Sequence, residues 1–154
     1  MPSRPPAPPT VDGAPALELA NRLRPVLVRI GRRLRGEVHA TGLTSGQAAV
    51  LASIHAHPGI GPVELADRER TSTPTMCAHV DRLEGSGLVA RSRDGSDRRR
   101  VGLTVTAAGE RVLRTVRSRR TAWLATQLRD LTPEELAAID AAVEPLQRLA
   151  AAES

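Results

Sequence analysis

The 154-residue sequence predicts a mainly α fold with a small β-hairpin wing. Three observations carry this. Between residues 43 and 84, three segments with apolar residues at helical spacing follow one another, separated by Gly-, Pro- and Ser/Thr-rich breaks. Val101, Leu103 and Val105 then alternate with Gly102 and Thr104, the period of a half-buried strand. At either end lies a long helical stripe that so small a central part cannot cover. The architecture expected is a winged helix-turn-helix with N- and C-terminal dimerisation helices.

Each element has its own signals. Residues 15–38 read as a helix with Leu19, Leu23, Val26, Ile30 and Leu34 on one stripe. Pro25 kinks it or marks a late start, and Thr41-Gly42 ends it. Thr44 and Gln47 form a reciprocal capping box for a second helix that ends near His57-Pro58-Gly59. A third, short helix starts at Pro62. The fourth spans Pro74–Glu84, with Thr73 as its cap, Met76, Val80 and Leu83 as its apolar stripe, and Gly85 and Gly87 as its stop. The hairpin Leu88–Val105 follows, with Asp94-Gly95 as its tip signal. Thr106 caps a helix over 107–129. Thr132, Pro133 and Glu135 then start the last helix, which Pro145 should bend.

The domain division expected is a disordered Pro-rich tail over 1–13, a dimerisation helix over 14–40, a winged helix-turn-helix DNA-binding domain over 41–106, and a linker helix with a C-terminal dimerisation helix over 107–154. The terminal stripes are most economically buried against the same helices of a second chain, so a two-fold homodimer is expected.

Charge points to the partner. The net charge is +5, yet residues 88–120 alone hold ten Arg against three acids. A surplus that local favours a polyanion. With no Phe or Tyr and one Trp, stacking on unpaired bases has almost no platform, so double-stranded DNA is the better partner. A single cysteine permits no intrachain disulfide and suits a reducing compartment. No apolar run spans a bilayer and no signal-peptide core opens the chain, so a cytoplasmic, membrane-free protein is expected. Gly-rich phosphate loops, nucleophile elbows and metalloprotease spacings are all missing, which argues against an enzyme. His55-x-His57 is not metal-ligand spacing on a helix, and no metal or other cofactor is expected.

Several motifs fall in a fixed order: Leu43-Thr44, Gln47, Leu51; Glu64-Leu65-Ala66; Val80-Asp81-Arg82-Leu83-Glu84; Gly87-Leu88-Val89; Asp94 and Asp97-Arg98-Arg99; Val105-Thr106 and Gly109. This combination, over about residues 15–150, resembles the MarR family of bacterial transcription regulators. The resemblance implies a homodimeric winged-helix regulator, usually a repressor. It also implies release from DNA by a small, often aromatic or phenolic ligand, or in some members by oxidation of a cysteine.

On this reading the fourth helix lies in the major groove with its N-terminal part against base edges. The DNA-binding candidates are Thr73, Thr75, Ala78, His79 and Arg82 on the helix and Arg98, Arg99 and Arg100 on the wing. Asp94 and Asp97 support the wing, Asp97 by orienting an arginine. Arg82 either reaches a phosphate or pairs with Asp81 or Glu84. His79 either shares the polar reading or is half-buried beside Met76. His39 and Trp123 are candidates for a ligand pocket, and Cys77 for a redox site. Two copies on a dyad would read a pseudo-palindrome with half-sites roughly 34–36 Å apart. One departure matters. Cys77-Ala78 stands where the family commonly has Thr-Arg, so the usual guanine-reading arginine is missing. A winged-helix interaction module with weakened DNA readout is therefore the competing reading.

Overall fold

The capping and breaking residues set the element order in the computed structural model, which describes residues 13–93 and 101–151. Six helices and two strands follow one another: α1 (Ala14–His39), α2 (Ser45–Ala56), α3 (Pro62–Arg68), α4 (Thr73–Gly85), β1 (Val89–Arg93), β2 (Val101–Val105), α5 (Ala107–Leu128) and α6 (Pro133–Ala151). The chain divides into two compact units, residues 1–36 and 37–154.

In the first unit α1 begins at Ala14, so Pro25 lies inside the helix and does not start it. Its apolar residues Leu17, Leu19, Val26, Leu27, Val28 and Ile30 are all exposed.

The second unit holds the core. Leu51 and Ile54 of α2, Leu65 of α3, Met76, Val80 and Leu83 of α4, and Leu103 of β2 are fully buried in one cluster, closed by Val116 of α5. The expected capping box of α2 is present: Thr44 accepts from the Gln47 N–H, and the Gln47 side chain accepts from the Thr44 N–H. The same reciprocal bonds join Thr132 and Glu135 at the start of α6. They satisfy backbone donors that the first helical turn leaves without partners.

At α4 the structure corrects the sequence reading twice. The cap is Ser72, whose hydroxyl accepts from the Thr75 N–H, so Thr73 is already helical and Pro74 sits one position further in. At the other end Gly85 is the last helical residue, and only Gly87 is left-handed, with φ +72°. The Leu88 N–H donates to the Leu83 carbonyl and the Gly87 N–H to that of Glu84, both orphans of the helix end. This closed turn aims the chain straight into β1.

β1 and β2 pair antiparallel, with Val89 opposite Val105, Arg91 opposite Leu103 and Arg93 opposite Val101. An additional bridge joins Ile60, just before α3, to Leu103, with Gly59 donating to the Leu103 carbonyl. The backbones approach closely at Gly102, where a Cβ would stand 3.0 Å from the Gly59 carbonyl oxygen. The wing base is thus tied to the α2–α3 connection, which the sequence reading did not foresee.

Thr106 locks the other side. Its hydroxyl donates to the Gly87 carbonyl at 2.6 Å and accepts from the Gly109 N–H at 3.1 Å. Gly109 packs so closely that a Cβ would meet the Leu88 carbonyl oxygen at 2.3 Å. α6 buries none of its residues; Leu136, Ile139, Val143, Leu146 and Leu149 are all exposed.

Candidate nucleic-acid interface

At 3.6 residues per turn, α4 presents three distinct sides. Met76, Val80 and Leu83 face the core. Opposite them, Thr75, Ala78 and Arg82 point outward and are exposed. One flank carries Cys77, Asp81 and Glu84; the other carries His79.

The acidic flank meets β1. The Arg91 guanidinium bridges Asp81 at 2.6 Å and Glu84 at 2.9 Å. Arg91 shares a strand face with buried Val89 and lies opposite buried Leu103, so it belongs to the inner face of the hairpin. The hydrogen bond that Arg91 donates to Asp81, then the charge of Glu84, raise its pKa above the ordinary arginine value. The register turns Arg91 toward the helix, a pairing that sequence alone does not disclose. With Asp81 and Glu84 paired to Arg91, Arg82 has no ion-pair partner among the described residues.

His79 is half-buried, and its ring packs on the first turn of α2: a Cβ added at Gly46 would lie 3.1 Å from its Cε1. Its Nδ1 is buried without a hydrogen-bond partner among the described residues. Of the two readings of His79, the geometry favours packing over base contact, with Gly46 as the neighbour. Cys77 is half-buried. Thr73 is exposed in the first turn of α4. Arg98, Arg99, Arg100, Asp94 and Asp97 lie outside the described residues.

The turn between α3 and α4 carries one residue that the sequence reading passed over. Arg70 has φ 49°, the one described non-glycine residue with a positive φ. The Thr71 N–H closes on the Ala66 carbonyl around it. Arg70 is exposed in the turn that leads into α4.

This frame has relatives. A family model, described as the MarR family, matches residues 43–101. The transcriptional repressor MdtR of Bacillus subtilis is 31% identical over 114 residues, covering 74% of each chain. The chain belongs to the MarR family. Among solved MarR-like structures, a transcriptional regulator from Pseudomonas aeruginosa is 32% identical with a TM-score of 0.81, covering 92% of this chain and all of that one. MarR itself is 32% identical with a TM-score of 0.66, covering 83% of this chain and 96% of the other. Like its relatives, this MarR-family chain is a DNA-binding transcriptional regulator and not an enzyme. Among its described residues no helix is long and apolar enough to cross a membrane.

Two clefts border α5. One, about 310 Å³, lies between α2 and α5: Ala48, Ala52, Leu113 and Val116 give it an apolar floor, and His55, Arg117, Arg120 and Thr121 a polar rim. His55 is oriented there by Glu110, at 2.7 Å from its Nδ1. The other, about 320 Å³, is lined by Trp123, Ala122, Thr126 and the Glu37–Arg119 ion pair. Trp123 lines this cleft. His39 is exposed and lines neither.

Proposed function

We propose that this MarR-family regulator is a homodimeric repressor that reads a pseudo-palindromic duplex and is released from it by a small aromatic or phenolic anion. The observation that carries the DNA reading is the outward side of α4. Thr75, Ala78 and Arg82 stand clear of the core while Arg91 pairs with both acids on the adjacent flank. Thr73 and Thr75 offer hydroxyls to phosphates, Arg82 a cation, and Ala78 a methyl for a thymine methyl. On this reading Arg98, Arg99 and Arg100, close in sequence to Asp94 and Asp97, would contact the minor groove.

Dimerisation rests on the unburied stripe of α6 and the exposed apolar residues of α1. The ligand belongs in the α2–α5 cleft, where Arg117 and His55 face apolar walls; this suits an organic anion better than the Trp123 cleft, which Glu37 lines. Repression as the sign follows the relative MdtR, which bears that name.

A footprint on the DNA upstream of the protein's own gene tests this reading. Protection of a palindrome, steeply weakened by salt and abolished by an aromatic acid, is the expected result. Weak, sequence-blind binding would instead favour an interaction module with lost readout. A peroxide arm, with Cys77→Ser as control, tests oxidation at Cys77 as the releasing event.

A further inference from the structure

We propose that Arg91 is a positioning residue for DNA reading: it clamps the wing strand to the recognition helix and does not itself contact DNA. Wing and helix then approach the duplex as one body. Three features carry this. Arg91 occupies the inner face of β1, in register with buried Leu103. Its two guanidinium nitrogens engage two different carboxylates one turn apart on α4, Asp81 at 2.6 Å and Glu84 at 2.9 Å. Those carboxylates otherwise flank a surface that must approach a polyanion.

The planar arginine fork suits this geometry and a lysine does not, because a point charge on a flexible stem cannot hold two acceptors in fixed directions. The pairs are partly exposed, Arg91 34%, Asp81 62% and Glu84 39%, so they add little to the stability of the fold. Their role is geometric. The turn at Gly87 fixes where β1 begins, and Arg91 fixes the angle at which it leaves α4.

This makes an unusual prediction. Neutralising two acids beside a DNA-reading surface ordinarily tightens binding, since repulsion is removed. Here Asp81→Asn with Glu84→Gln weakens it. The experiment uses the full chain and a duplex chosen by the wild-type protein from a random-sequence pool, with a scrambled duplex of equal length beside it. Arg91→Gln, the double acid variant and the triple combination are each titrated at several salt concentrations, and each is melted to confirm folding.

Arg91→Gln and the double acid variant are expected to lose about tenfold in affinity for the chosen duplex, with no further loss on combining them. Binding to the scrambled duplex and the salt slope stay as in wild type. Arg91→Lys, which keeps the charge, is expected to recover only part of the loss. A salt slope reduced by about 0.9 in Arg91→Gln would mark a lost phosphate contact and overturn the proposal. So would unchanged or tighter binding by the double acid variant, or additive losses in the triple.

Discussion

Ala78 and Gly109 show how much a single Cβ decides in this protein. Ala78 is exposed on the outward side of α4, the side proposed above to face the bases. Ala78→Arg is expected to raise affinity for duplexes carrying guanine at the facing position, by about 1–3 kcal/mol against the other bases. Selection from a random pool checks it; unchanged affinity and preference would place position 78 away from the bases. At Gly109 the added carbon has nowhere to go, with the Leu88 carbonyl oxygen at 2.3 Å and Val105 Cγ1 at 2.6 Å. Gly109→Ala is expected to cost about 1–3 kcal/mol, read as a lower melting temperature, since α5 must lift off the hairpin. Arg70 runs the other way. Its left-handed backbone favours glycine, so Arg70→Gly should hold or raise thermal stability while lowering the salt dependence of DNA binding if its side chain meets a phosphate.

Elements were the most legible scale in the sequence, because their signals are local. The Thr44–Gln47 and Thr132–Glu135 boxes, the break at Gly42, the start at Pro62 and the cap at Thr106 all stand where the residue types put them. The one cap misplaced, Thr73 for Ser72, came from a run of adjacent hydroxyl residues, where composition cannot choose among neighbours. What stayed hidden depends on contacts distant in sequence. The Ile60–Leu103 bridge, the turn of Arg91 toward α4 and the packing of His79 on Gly46 arise only when elements meet. Helix ends also carry the pH dependence. Glu134, in the first turn of α6, accepts from its own backbone N–H and from Thr132, and both bonds hold its carboxyl below the ordinary value. A lowered folded pKa contributes stability above the unfolded value of 4.5, lost as pH falls through the folded one. Acidification below that value is expected to fray the start of α6, seen as faster amide exchange there, and Glu134→Gln should flatten the response.

Within residues 37–154 the buried residues gather around α2–α4 and the hairpin, and α6 leaves its apolar stripe exposed; in α1, Leu17, Leu19, Val26, Leu27, Val28 and Ile30 are exposed as well. Stripes that long are unusual on a chain working alone. Sedimentation at micromolar concentration is expected to show a dimer, and Ile139→Asp with Val143→Asp to shift it to monomer with loss of palindrome binding. Salt should act on the DNA complex through the arginines proposed to face DNA, Arg82, Arg98, Arg99 and Arg100, and leave the apolar association largely untouched.

Trp123 adds a practical consequence. The chain has no Tyr, no Phe and no other Trp, so its near-ultraviolet emission comes from one indole. That indole is half-buried beside the Glu37–Arg119 ion pair, one turn along α5 from Arg119 and Arg120. Any ligand that shifts α5, or opens that ion pair, changes the polarity around a single chromophore. The protein therefore carries its own optical probe: an unlabelled titration of candidate effectors reads the state of α5 directly, in solution and without DNA.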